Sequence, residues 1–133
     1  MANPVPHSSP VPIRIAVAGA SGRMGRMLIE AIRESDDCVL AGALDVPASP
    51  GIGSDATAFL GYASGVPITA DLDCGLATAD VLIDFTRPEG TLAHLTACVR
   101  HGVQAVVGTT GFSDAQKAEI AGHAEHIAIV LAP

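Results

Sequence analysis

Three glycines, Gly19, Gly22 and Gly25, recur at every third position of "VAGASGRMGRMLIEAI". They lie where an apolar, β-branched run gives way to an amphipathic one, the signature of a strand turning into a helix. At such a junction each glycine has a use. Gly19 can take a tight turn, Gly22 lets a ligand approach the backbone, and Gly25 lets the helix pack close to the strand. The free N–H groups and positive dipole end of the new helix then suit an anion such as a dinucleotide pyrophosphate. Arg23 can add a charge-assisted contact. The spacing is GxxGxxG rather than GxGxxG, with Ser21 near the usual second glycine, and a glycine triplet alone equally fits a structural turn. Asp45 supplies the context. It ends the second apolar run about 20 residues on, where a carboxylate accepts hydrogen bonds from ribose hydroxyls. The competing role for Asp45 is that of a solvated acid at a strand end.

Two further segments carry hydroxyls to strand ends. "DFTRPEG" offers Thr86, and "GTTGF" offers Thr109 and Thr110, all suited to hydrogen-bonding a carboxamide or a ribose. Helix capping by Thr86 and turn chemistry over Gly108–Gly111 are the structural alternatives. Other constellations are weaker. His123 and His126 do not form HExxH, and no metal site is expected. His94 and His101 read as ordinary, partly exposed helix residues. There is no GxSxG elbow, no catalytic carboxylate pair and no Walker lysine. A Tyr-x-x-x-Lys dehydrogenase pair is excluded because Tyr62 is the sole tyrosine and Val66 stands four residues on.

The elements that must position these residues alternate. Strands are predicted at Ile13–Gly19, Cys38–Asp45, within "GVPITA", at Asp80–Thr86, in "VQAVVGTTG" and in "IAIVLAP". A helix is predicted over Arg23–Arg33, with Met24, Met27, Leu28 and Ala31 as its apolar face. A weak helix is expected over Leu72–Ala77. A third starts at a Thr86–Glu89 capping box, with Pro88 in its first turn and Gly102 as its stop. A fourth opens with a Ser113–Gln116 box. "VPASPGIGSD" is a loop. Strands apolar throughout, alternating with helices, define a Rossmann-like, doubly wound α/β domain with a mostly parallel sheet.

Bulk properties agree. The 133 residues are 49% hydrophobic, enough for one domain over 13–133. Residues 1–12, with four prolines, read as a flexible leader and not as a signal peptide. A formal net charge of −7 argues against nucleic-acid binding, and no apolar run is long enough for a membrane span. Cys38, Cys74 and Cys98 are odd in number and widely spaced. They are expected to be small buried residues in a reducing, cytoplasmic setting, without disulfides.

"IRIAVAGASGRMGRMLIEAI", "VLIDFTRPEGTLAHL", "AVVGTTGFSDAQKAEI" and "IAIVLAP" together resemble the N-terminal domain of the 4-hydroxy-tetrahydrodipicolinate reductase family. The resemblance covers Ile13 to Pro133, and "DFTRPEGT" and "GTTGF" are more specific than the glycines. It implies NADH- or NADPH-dependent reduction of a small cyclic dicarboxylate in diaminopimelate and lysine biosynthesis. The cofactor would lie across Gly19, Ala20, Ser21, Gly22, Arg23 and Met24, then Asp45, Phe85 and Thr86, Gly108, Thr109 and Thr110, and Ala132 and Pro133. In the family a second domain follows, carrying the catalytic motif, the dicarboxylate pocket and the homotetramer interface. No catalytic residue is therefore assigned here, and this domain alone is expected neither to catalyse nor to sustain a tetramer. Many family members also place an arginine after the ribose acid to hold a 2′-phosphate, where this chain has Val46. A non-catalytic, NAD-sensing or NAD-binding module is the rival reading.

Overall fold

The computed structural model describes residues 11–132. The leader assigned to residues 1–12 therefore lies almost wholly outside the described residues, as does Pro133. The chain begins with β1 (Ile13–Ala18), α1 (Arg23–Glu34) and β2 (Cys38–Leu44). A long connection with one 3₁₀ turn (Ala58–Leu60) leads to the two-residue β3 (Ile68–Thr69). There follow α2 (Leu72–Leu76), β4 (Val81–Asp84), α3 (Pro88–His101), β5 (Gln104–Val107), α4 (Asp114–His123) and β6 (Ile129–Leu131).

The six strands form one sheet in the order β3-β2-β1-β4-β5-β6, and every pairing is parallel. From β1 the chain winds outward through β2 and β3, then crosses back to β4 on the other side. The carboxyl ends of β1 and β4 therefore flank a switch point, the place where loops diverge and a ligand crevice opens.

Strand alternation divides the core. Ala16, Ala18, Leu44, Leu82, Ala105 and Val107 face one way and pack with Leu76 of α2, Leu95 and Cys98 of α3, and Ile120 of α4. Ile15, Val17 and Ala43 face the other way, against Ile29 and Ile32 of α1 and Ala56 of the long connection. Both faces of the central strands are buried, which is why they read as unbroken apolar runs.

Three details differ from expectation. The buried stripe of α1 is Gly25, Ile29 and Ile32, whereas Met24 and Met27 are exposed. The helix is rotated because Gly25 must face the turn after β1. A Cβ at Gly25 would lie 2.0 Å from the Gly19 carbonyl oxygen, so no other residue fits there. The Thr86–Glu89 capping box is absent: α3 has Arg87 as its N-cap residue and no side-chain cap. Cys74 is exposed, although Cys98 is buried and all three thiols are free. The other signals are realised. Ser113 and Gln116 form a reciprocal capping box, and Gly102 ends α3 at φ 67°.

Candidate functional site

The turn after β1 is built almost without side chains. Gly19 adopts φ +75°, and its N–H and that of Ala20 both donate to the Leu44 carbonyl, at 2.8 and 3.0 Å. The loop is thereby tied to the end of β2. Gly22 is the N-cap residue of α1 and offers no capping side chain. Its N–H donates to the Gly19 carbonyl at 2.9 Å. Among the described residues, no protein acceptor meets the N–H groups of Arg23, Met24 and Gly25 at the helix start. A Cβ at Gly22 would meet only the Gly19 carbonyl oxygen, at 3.3 Å, and would otherwise stand in open space over those groups. Free amides at a helix N-terminus under an open approach fit a phosphate-bearing ligand.

Asp45 lies one residue past β2 and is half-buried. Its Oδ2 accepts from the Ser21 N–H at 2.9 Å, and its Oδ1 accepts from the Val46 N–H at 2.8 Å. The acid thus clamps the glycine loop, and each carboxylate oxygen keeps a lone pair for a further donor. Ser21 is also contacted from the long connection, where the Ser49 hydroxyl donates to Ser21 Oγ at 3.3 Å. Beside it a cavity of about 180 Å³ is lined by Ser21, Arg26, Gly51, Asp55 and Phe59, among others. The Arg26 guanidinium lies over the Phe59 ring, 5.0 Å from its centroid. Asp55 organises the connection. Its carboxylate accepts from the Thr57 and Ser64 N–H groups, their hydroxyls and the Gly65 N–H. Those hydrogen bonds, the Thr57 amide foremost, hold its pKa far below the ordinary carboxylate value.

The second half of the site, at β4 and β5, is built from side chains. Asp84 ends β4 and is 1% exposed. Its Oδ2 faces His94 Nδ1 at 2.6 Å, and its Oδ1 accepts the Thr86 hydroxyl at 2.6 Å. The Thr86 N–H donates to Thr109 Oγ1 at 3.0 Å, and the Thr91 hydroxyl donates to the same oxygen at 2.8 Å. Thr109 is buried, so its hydroxyl braces β4, β5 and α3 against one another. Thr110 is exposed. The Phe85 ring lies across Gly108, where a Cβ would meet it at 2.0 Å. Nearby, burial pushes the Cys98 thiol up to about 12, and the negative charge of Asp84 adds to the effect.

The two halves meet. A Cβ on Gly19 would lie 3.2 Å from the Thr86 methyl, and Ala132 joins the same edge through its N–H to the Val107 carbonyl at 2.7 Å. The fold thus gathers the candidate residues from Gly19 to Ala132 at the carboxyl ends of the strands. His94 is not an ordinary surface histidine, and His101 contacts Asp73 at 2.7 Å. Asp84 and His94 were missed, yet a signal existed: Asp84 shares a strand face with Leu82, and that face points into the core. Among the described residues, no cluster of three or more His, Cys, Asp or Glu could hold a metal ion. No helix there is long and apolar enough to cross a membrane.

A doubly wound parallel sheet, with a glycine turn after β1 and an acid after β2, is the architecture of dinucleotide-binding domains. Comparison with known proteins narrows this. Residues 13–133 match the family model described as dihydrodipicolinate reductase, N-terminus, and the chain belongs to that family. It is 63% identical over 121 residues to a 4-hydroxy-tetrahydrodipicolinate reductase of Herminiimonas arsenicoxydans, a match covering 91% of this chain and 45% of the relative. A Cupriavidus taiwanensis protein of the same name is 62% identical over 120 residues, covering 90% and 45%. Among solved structures, a dipicolinate-bound dihydrodipicolinate reductase from Paenisporosarcina sp. TG-14 superposes with a TM-score of 0.74 at 28% identity. That match covers 92% of this chain and 48% of the other. The chain therefore spans somewhat less than half the length of the relatives it matches.

Proposed function

We propose that this chain is the nicotinamide-dinucleotide-binding part of a reductase that delivers hydride to a small cyclic dicarboxylate. The observation that carries the reading is the glycine turn. Unpartnered amides at the start of α1 stand under an open approach, beside a carboxylate clamped at the end of β2. Family membership supports the reductase chemistry. The pyrophosphate would rest on the Gly19–Met24 loop, and Asp45 would take the adenosine ribose hydroxyls. The crevice edges Phe85–Thr86, Gly108–Thr110 and Ala132 would line the nicotinamide side, together with Pro133, which lies beyond the described residues. When bound, the nicotinamide supplies the hydride. The residues of this chain bind and orient it. In this reading the substrate clamp, the proton donor and a homotetramer interface would lie in the part of the longer relatives that this chain does not span.

Asp45 also bears on cofactor choice. A ribose 2′-phosphate would meet the carboxylate, and two unit charges about 4 Å apart repel by about 4 kcal/mol at an effective dielectric near 20. Val46 supplies no compensating cation, and Arg26 is stacked on Phe59. NADH is therefore expected to bind at least as tightly as NADPH. Calorimetric titration with both cofactors tests the reading, on the chain as it stands and on Gly22→Val and Val46→Arg. Gly22→Val should lose binding while keeping its melting transition, and Val46→Arg should improve NADPH binding. The chain should show no substrate-dependent NAD(P)H oxidation. Equal binding by wild type and Gly22→Val would overturn the phosphate site. Tenfold tighter NADPH binding by the wild type would overturn the preference.

A further inference from the structure

The carboxylate of Asp45 is one corner of a closed ring of hydrogen bonds. Its Oδ2 accepts from the Ser21 N–H at 2.9 Å, and Ser21 Oγ meets the Ser49 hydroxyl at 3.3 Å. The Ser49 N–H donates to the Val46 carbonyl at 3.0 Å, and the Val46 N–H returns to Asp45 Oδ1 at 2.8 Å. The ring joins the glycine loop to the turn that follows β2. Its only link between two side chains is Ser21–Ser49. Gly51 keeps that link in place: its N–H donates to Ser49 Oγ at 3.2 Å, and a Cβ there would overlap Ser21 Oγ. Ser21, Asp45, Ser49 and Gly51 are all half-buried.

We infer that Ser49 is a positioning residue for ribose recognition, holding the Asp45 carboxylate in register with the glycine loop. This inference rests on the reading above in which Asp45 takes the adenosine ribose hydroxyls. A carboxylate free to turn must be ordered when a ligand binds, and that ordering subtracts from the hydrogen bonds it makes. Here one oxygen is tied to the loop and the other to the turn after β2, so the ordering precedes the ligand. The two N–H donors belong to separate stretches of chain, and Ser49 is the side chain that locks those stretches together. A nucleotide has a fixed distance between ribose and phosphate, and the ring fixes the matching distance between the acid and the loop. Ser49 acts through Ser21 and Asp45, not through a contact of its own.

Two ligands that differ by one hydroxyl read the positioning: NADH and its analogue lacking the adenosine 2′-hydroxyl. Both are titrated by calorimetry into the wild-type chain, Asp45→Ala, Ser49→Ala, Ser49→Thr, Ser21→Ala and the Ser21→Ala/Ser49→Ala double variant. The wild type should hold NADH about tenfold more tightly, the effect of one hydrogen bond to a charged group. Asp45→Ala should bring the ratio close to one. Ser49→Ala should lower it to about threefold, half of that discrimination on a free-energy scale. Ser21→Ala should do the same and the double variant no more, because both substitutions break one link. Ser49→Thr keeps the hydroxyl and should restore the ratio. A role confined to fold stability would weaken both ligands together and leave the ratio unchanged. A wild-type ratio that survives Ser49→Ala, or losses that add in the double variant, would overturn the inference while leaving the ribose role of Asp45 intact. Equal affinities in the wild type would overturn that role and the inference with it. Failure to bind either ligand would overturn the dinucleotide reading as well.

Discussion

The two ends of the crevice are made of different materials. The turn after β1 is backbone: positive φ at Gly19, no side chain at Gly22, no room for one at Gly25. The edge after β4 is a chain of side chains, from His94 through Asp84 to Thr86, with Thr109 and Thr91 beneath it. A backbone cradle suits a pyrophosphate, which needs several N–H donors and space but little discrimination. A buried polar network suits a place where donors and acceptors must be told apart. Such networks are costly when incomplete, and this one leaves no buried side-chain polar atom without a partner among the described residues.

The contrast predicts unequal costs of mutation. Asp84→Ala should be the most damaging, because it leaves His94 and Thr86 facing a void without their acceptor. Leaving a buried hydrogen-bonding group unsatisfied costs about 1–3 kcal/mol, and two groups lose their acceptor here. Urea denaturation monitored by circular dichroism measures it, and a loss below about 1 kcal/mol would mean the network carries little. Gly25→Ala comes next. Its Cβ would press on the Gly19 carbonyl oxygen at 2.0 Å and on Ala20 Cα at 2.9 Å. Backbone cannot yield as a flexible side chain can, so a cost of about 1–3 kcal/mol is expected. That loss should appear with impaired cofactor binding, since the same carbonyl shapes the turn.

The smallest effect concerns Asp55, which belongs to neither end but orders the connection beside the glycine loop. Its pKa is depressed in the folded state by hydrogen bonds from the Thr57 and Ser64 amides and the Ser64 hydroxyl. A depressed carboxylate stabilises the fold above its unfolded value and loses that contribution as pH falls through the folded one. Stability should therefore decline below the ordinary value of 3.8. Asp55→Asn should flatten that part of the pH profile, while leaving the response to Asp84→Ala unchanged. Thermal melts of both variants across acidic pH test this. A profile identical to wild type would remove Asp55 from the account.

The backbone end was the more legible in sequence. Glycine spacing, a preceding apolar run and a trailing acid are local signals, and each has a direct conformational meaning. The side-chain end was read only in part. Thr86 was noticed as a hydroxyl suited to a ligand and also as a helix cap, the latter because its spacing to Glu89 fits a capping box. In the fold its proton goes to Asp84 instead, two residues back, and α3 starts from Arg87. His94 looked like a surface residue because a helix position has no visible partner until the strand it faces is known. The α1 stripe was misread by one position for a similar reason. Met24 and Met27 are apolar by type, but the needs of Gly25 decide which side of the helix is turned inward.

The amino-acid sequence by itself determined the alternation of strands and helices, the parallel sheet and the glycine turn. It did so because periodicity, capping and glycine conformational freedom act over a few residues and need no tertiary partner. Tertiary structure alone decided where protons and charges lie. Asp84 and His94 are separated along the chain and meet only when α3 packs back onto β4. Burial then makes the choice of hydrogen-bond partner compulsory, since a carboxylate removed from water must take the donors the fold presents to it.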